Sequence, residues 1–418
     1  MHPRRVLDKF RRFLGLRLQF VNQTHSYHFV EVLDRLSVIS VLQPERSGRE
    51  RFVKGVVVAL LIAQIAAQLY DVVRFDDIRL SLDVFSISAI SAYCFCRMIY
   101  LRCRMQDMQM FQQFDKQCRF RRNATTAQQI RRHVHTMNVR VMGTILTFHH
   151  IMLPIVFWKC LTASNSFVNP MTYAPFDWSQ SFPFLDKLAR FIYTTCLIPL
   201  CYLYHDGIMV LITIVRSLIA EYRVLISSLS TLDEQISVRF SSLRSQQVQP
   251  SLCKRTIVID LLREHLVRHQ ELIAIVKRLR SVIYYVSLIQ ITFFLIIQVA
   301  FFVRFVVDSG ESALGMIIPL SAVLFELVEI FLFFVQIEKL MDLNALVGAT
   351  LYNEFHWYDY IQLGGSSFKR NMIIALMQSY NTVPFTAGGI FVLSTEFLTS
   401  LMQFTYSLVM GLAFLITK

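Results

Sequence analysis

Charge is scarce in this chain of 418 residues. Asp, Glu, Lys and Arg make up 17% of it, where an ordinary soluble domain has about 25%. A soluble fold of this size needs far more polar residues to cover its surface, so that class is excluded. Glycine (13) and proline (10) are too few for a low-complexity or collagen-like chain. The eight cysteines are spread thinly and form no CxxC pair. Cys94-Phe95-Cys96 lies within an apolar run and is a poor zinc pattern. No metal site and no cofactor is expected. GxSxG, HExxH, Walker and GxGxxG signatures are all missing, and no nucleophile–base set stands out within the apolar runs, so no enzyme is expected. The first 50 residues are basic and amphipathic without a short apolar core, so no cleavable signal peptide is expected. No internal repeat is visible, which argues against a repeat-built transporter.

What the chain has is grease. It is 54% hydrophobic, with 35 Phe and a mean hydropathy of +0.46. An all-α polytopic membrane protein is expected. A span needs roughly 20 mostly apolar residues to cross about 30 Å of hydrocarbon. Six runs qualify, at 52–73, 82–101, 139–161, 191–215, 282–307 and 313–337. A seventh region is broken: an amphipathic half-helix over 369–380, then Asn381-Thr382-Val383-Pro384, then apolar sequence over 391–416.

The excess of basic over acidic residues, 42 against 29, then has a place. Lys and Arg number 10 in residues 1–51, 8 in 102–138, 10 in 217–280 and 3 in 338–370. The alternate segments 74–81 and 162–190 hold 2 each, and 308–312 holds none. The positive-inside rule puts the N-terminus in the cytoplasm, and seven spans put the C-terminus outside. Charge dispersed this way does not suit nucleic acid, which wants one basic face. The orientation also excludes the seven-helix G-protein-coupled receptors, whose N-termini lie outside.

The inside segments keep helical spacing, as in Leu218, Tyr222, Leu225 and Leu229, and again in Ile257, Leu261, Leu262, Leu266 and Ile273. A helix over 255–307 would be close to 80 Å long, so its surplus projects into the cytosol. The expected organisation is a cytoplasmic segment 1–51; helices one to four over 52–216, with an inside loop 102–138 and an outside loop 162–190; a cytoplasmic helical anchor 217–281; helices five and six over 282–337; a second anchor piece with the half-helix over 338–380; and helix seven over 381–418. Residues 241–253 read as a flexible linker. The sequons at Asn22 and Asn123 fall inside, where no glycan is expected.

Several residues stand out against this frame. In the outer half of the bundle, Phe85, Ser88, Tyr93, His150, Phe157, Tyr193, Cys196, Phe294, Gln298, Phe301 and Ser321 mix aromatics with a few polar groups. That mixture suits an apolar pocket for a small volatile molecule, and equally suits plain helix packing. His149-His150 can donate a hydrogen bond to a ligand or to a neighbouring helix. Glu326 and Glu329 share one face of the sixth span. They read either as a cation-attracting face or as inner-boundary groups paired with a cytoplasmic Lys or Arg. His205 and Asp206 fall near that same boundary and read as structural. Val409, Ala413 and Ile416 form one stripe in the last helix, which is either a dewetting gate or a packed face.

Trp357-Tyr358, Pro384-Phe385-Thr386-Ala387-Gly388-Gly389, Phe391, Leu393, Phe397 and Tyr406-Ser407, in this order, resemble the insect odorant receptor family, as does Pro175-Phe176-Asp177-Trp178-Ser179. The gustatory relatives usually end in Thr-Tyr, five apolar residues and Gln-Phe. Here Thr405-Tyr406 is present but Leu412-Ala413 stands in place of Gln-Phe, which favours the odorant branch. The compact 217–280 segment is similar to that of an odour-tuning subunit. The resemblance implies a ligand-gated, non-selective cation channel in the plasma membrane of olfactory neuron dendrites. It implies a heterotetramer with the shared co-receptor, a small volatile ligand in the outer half between helices two to six, and a pore lined by the seventh helices. Aligned on Thr405-Tyr406, the pore and gate positions fall near Val409, Leu412 and Ala413.

Overall fold

The computed structural model describes residues 31, 34, 39–45, 47–74, 78–117, 120–121, 124–162, 183–244, 250–307, 313–381 and 383–417. Nearly all of the described chain is helical. The helices are α1 (Gly48–Arg74), α2 (Ile78–Cys103), α3 (Met105–Gln117), α4 (Thr125–Thr162), α5 (Pro183–Ser230), α6 (Leu232–Arg244), α7 (Pro250–Val307), α8 (Ala313–Asn353), α9 (Ile361–Tyr380) and α10 (Thr395–Thr417). A 3-10 turn, Trp357–Tyr360, joins α8 to α9. Among the described residues, apolar windows fit to cross a membrane occur within Gly48–Tyr70, Val84–Cys103 and Lys254–Val303. The uncharged part of the last begins after Arg280.

Helix α7 is the central post. Its 58 residues make it about 87 Å long. It packs against α2, α5, α6, α8, α9 and α10, so different stretches of it bury different faces. Helix α5, 48 residues long, packs on α4 and α8. Both helices exceed twice the hydrocarbon thickness of about 30 Å, as the spacing in the sequence required.

Two stretches differ from the sequence expectation. Residues 102–138 are not a loop: α3 and the start of α4 occupy most of them. The last apolar run is not helical from Phe391. It opens with a two-stranded hairpin, β1 (Thr386–Ala387) and β2 (Phe391–Val392), paired Thr386 with Val392 and Ala387 with Phe391. Gly388 and Gly389 turn it, with φ of +60° and +75°, a left-handed geometry that only glycine adopts without cost. Ser394 then caps α10, its Oγ accepting from the Phe397 N–H at 3.1 Å. The sequons at Asn22 and Asn123 lie outside the described residues, as do residues 245–249 of the expected linker, whose remaining residues 241–244 and 250–253 are helical.

The end of the bundle that carries α3, α6 and α9 is held by buried polar pairs. Glu221 on α5 accepts from Arg131 Nε at 2.6 Å and from Arg268 Nη2 at 2.9 Å. The Asn344 carboxamide oxygen on α8 accepts from Tyr222 at 3.2 Å and lies 3.1 Å from His269 Nε2. Its nitrogen donates to the Ser379 carbonyl at 2.9 Å. His265 lies 2.8 Å from the Ser228 hydroxyl, with its Nδ1 2.7 Å from the Leu261 carbonyl oxygen. These contacts join α4, α5, α7, α8 and α9 into one unit.

Burial pushes His265 and His269 below the ordinary imidazole value, with Arg121 acting the same way on His265, and the Leu261 and Asn344 contacts opposing it. The folded state therefore favours neutral rings. In the unfolded chain each ring takes a proton as the pH falls below about 6.5. Their stabilising effect is complete above that value and is lost as the pH falls towards the lower pKa of the folded rings. The Tm of the purified protein should drop as the pH is lowered from neutral towards 5. The His265→Gln, His269→Gln variant should show a flatter dependence, measured by thermal unfolding across that range.

Candidate functional site

A polar cluster sits in the middle of the bundle, where α2, α5, α7 and α8 meet. Tyr93 and Arg97 are one turn apart on α2 and share a face. Arg97 is fully buried. Its Nη1 donates to the Tyr93 hydroxyl at 2.5 Å and to Glu329 Oε1 at 3.2 Å. Its Nη2 donates to the backbone carbonyl of Tyr204. The guanidinium also lies 4.5 Å from the centre of the Tyr93 ring. Tyr204 and Phe293 flank that ring at 5.9 and 5.8 Å.

Close approach of α5 depends on Gly207. A Cβ there would stand 3.1 Å from both Arg97 Nε and Leu101 Cδ1. Across the cluster, Glu326 and Glu329 are one turn apart on α8 and each is 3% exposed. Gln298 on α7 is fully buried, and its Nε2 lies 3.4 Å from both Glu326 Oε2 and the Val323 carbonyl oxygen.

The sequence singles out Glu326 and Glu329, either as a cation-attracting face or as groups paired with a cytoplasmic Lys or Arg. The partner of Glu329 is instead Arg97, from the second span itself. Arg97 was missed, although its signal was legible: it is the lone Lys or Arg over 82–101. Of the expected ligand residues, Tyr93 and Gln298 reach this cluster. Phe294 is buried one turn from Gln298, and Ser88 is buried on α2. Phe85 and Phe301 are half-buried, and His150 lies on an exposed face of α4. The side chains of His149, Phe157, Tyr193, Cys196 and Ser321 lie outside the described part, as do those of Ala413 and Ile416. His205 and Asp206 are buried beside Tyr204.

The hairpin and α10 form the second part of the site. The Gly388 N–H donates to the Tyr284 carbonyl of α7 at 2.9 Å. Phe385, Ala387 and Leu393 are fully buried. Phe397 stacks between Phe391 and Phe334, and the Thr395 hydroxyl donates to Glu338 at 3.0 Å. In α10 itself, Leu398, Leu401, Thr405 and Val409 are buried on one stripe, with Leu412 half-buried. Val409, expected at the pore, thus packs into its own subunit. The opposite face exposes Ser400, Gln403, Phe404, Ser407, Met410, Gly411 and Phe414.

The family model of the seven-helix odorant receptors (7tm Odorant receptor) matches residues 77–406. The chain belongs to the odorant receptor family. It is accordingly a membrane receptor of olfaction. Its fold is similar to that of the insect olfactory receptor OR5 from Machilis hrabei, with a TM-score of 0.65 at 10% identity. The same receptor in complex with eugenol gives 0.63 at 9%. Each alignment covers 96% of this chain and 98% of the other. Among curated proteins no sequence matches. The motif that carried the resemblance, from Pro384 to Phe397, is the hairpin mount that fastens α10 to α7 and α8.

Arg97 and Glu329 should be strongly interdependent. Removing the guanidinium in Arg97→Met leaves Glu329 as a buried, unmatched charge, a loss of about 3–5 kcal/mol. Glu329→Gln keeps a hydrogen-bond acceptor for Nη1 but removes the counter-charge of a guanidinium that cannot shed its proton, and should cost at least as much. Surface labelling and thermal unfolding of the two variants should show both losses.

Proposed function

We propose that this receptor is the odour-tuning subunit of an odorant-gated, non-selective cation channel. It would work in a heterotetramer with the olfactory co-receptor, in the dendritic plasma membrane of olfactory sensory neurons. The N-terminus is cytoplasmic. Residues 1–51, 217–281 and 338–380 form the inside layer, and α10 lines the pore. A small, mainly apolar volatile binds in the outer half, between α2, α4, α5, α7 and α8, among the expected pocket residues. The eugenol bound to the structural relative is consistent with a ligand of that size.

The observation that carries the channel reading is the exposed face of α10. Ser400, Gln403 and Ser407 recur at i, i+3 and i+7, so they form one polar column. The Ser400 and Ser407 hydroxyls bond back to the Glu396 and Gln403 carbonyls, at 3.2 and 3.0 Å. The serine hydroxyls are met by their own backbone; the exposed Gln403 amide in the same column is the group that is costly against lipid and at home against water. Subunits arranged with these faces towards an axis provide that water. Val409 then supports the column from behind. Leu412, at the edge of the packed stripe, supplies closing surface together with Ala413 and Ile416 beyond it.

The test is expression with the insect co-receptor and an odour panel. An agonist should evoke a non-selective cation current. In that open state, an external thiol-reactive cation should reduce the current of Ser407→Cys and leave Val409→Cys unchanged. No current from any odorant, with both subunits at the surface, would contradict the channel reading. Modification of Val409→Cys alone would contradict the assigned face.

A further inference from the structure

We infer that the odorant class this receptor selects is a small basic amine, held as its ammonium ion by Glu326, with Gln298 and Glu329 beside it. The inference rests on the receptor reading above and concerns the ligand it takes.

The cluster holds two carboxyl groups and one cation: Glu326 and Glu329 against Arg97. Glu329 takes the guanidinium at 3.2 Å. Glu326 is left with the Gln298 amide, at 3.4 Å. Matched by one long amide contact, Glu326 is stable as a carboxylate at membrane depth only with a further cation beside it.

The unfilled hydrogen-bond capacity has one sign as well. Glu326 Oε1, Gln298 Oε1 and Glu329 Oε2 are buried and accept from no group among the described residues. All three residues are at least nine-tenths buried. The unpartnered donor in the same cluster, Nε of Arg97, faces Gly207 on the α5 side. Thus α7 and α8 present acceptors with no donor to meet them.

A primary ammonium answers both deficits, with one positive charge and three N–H donors. An alcohol brings one donor and no charge. An aldehyde, ketone or ester brings only acceptors, which would set oxygen against oxygen. Phe294, buried one turn from Gln298 on α7, offers apolar surface for a short hydrocarbon tail. Charge-assisted hydrogen bonds are worth roughly twice a neutral one, and more when desolvated. The cluster should therefore discriminate by head group more than by tail.

The test uses the full receptor co-expressed with the co-receptor. Hexylamine, benzylamine and phenethylamine are each compared with the alcohol and the aldehyde of the same skeleton. At neutral pH these amines are mostly protonated, as a lysine side chain is. The best amine should exceed its matched alcohol in potency by about tenfold or more. Glu326→Gln should raise the EC50 of that amine by about tenfold or more and shift the alcohol by less than about threefold. Glu326→Asp should keep the amine preference.

Equal shifts for amine and alcohol in Glu326→Gln would overturn the inference and make Glu326 a neutral, structural acid. So would alcohols or aldehydes that activate while every amine is silent. If Glu326→Gln fails to reach the surface, the wild-type ranking decides: amine over alcohol supports the inference, and the reverse overturns it. Silence to every compound, with both subunits at the surface, would instead overturn the receptor-channel reading on which it rests.

Discussion

Arg97 is fully buried within the second apolar span, and the meeting of three helices follows from what its guanidinium requires. A charge at that depth persists only when its donors are taken and a counter-charge is near. Tyr93 supplies an acceptor from its own helix, Tyr204 a backbone carbonyl from α5, and Glu329 a carboxylate from α8. The carbonyl is reachable because Gly207 lets α5 lie against the side chain. Such a node contributes little net stability beside an apolar equivalent. What it does fix is which faces of α2, α5 and α8 meet.

The same helices carry the mount of the last one. Gln298 sits on α7, which also offers Tyr284 and Leu288 to the hairpin turn. Glu326 and Glu329 sit on α8, which also offers Phe334 and Glu338 to the start of α10. A change in how α7 and α8 meet at the polar cluster therefore bears on both supports of α10. Leu288 and Gln298 are ten residues apart, about 15 Å along one helix. A rigid helix is a sufficient link over that distance, with no chain of rotamer changes between.

Much of this was legible in the sequence. Apolar runs pointed to an all-helical membrane protein, and the length of the 255–307 pattern required a helix that outruns the membrane. Two things were hidden for physical reasons. Helical periodicity cannot tell a packed stripe from a pore-facing one, so it left both open for Val409, which is buried within this chain. Hydropathy sums pass over a short glycine-turned hairpin, so Phe391 read as helix. Arg97 is legible as the lone basic residue of its span, and Tyr93 and Gln298 are conspicuous as an aromatic and an amide within spans.

The central claim is that Arg97 and Glu329 form one buried unit on which the meeting of α2, α5 and α8 depends. The direct measurement is a double-mutant cycle on thermal unfolding, completed by Arg97→Met with Glu329→Leu. The account predicts that the double variant recovers most of the stability lost in Arg97→Met, because no uncompensated charge remains from the pair. Losses that simply add would contradict it, since two groups that do not depend on each other show no coupling.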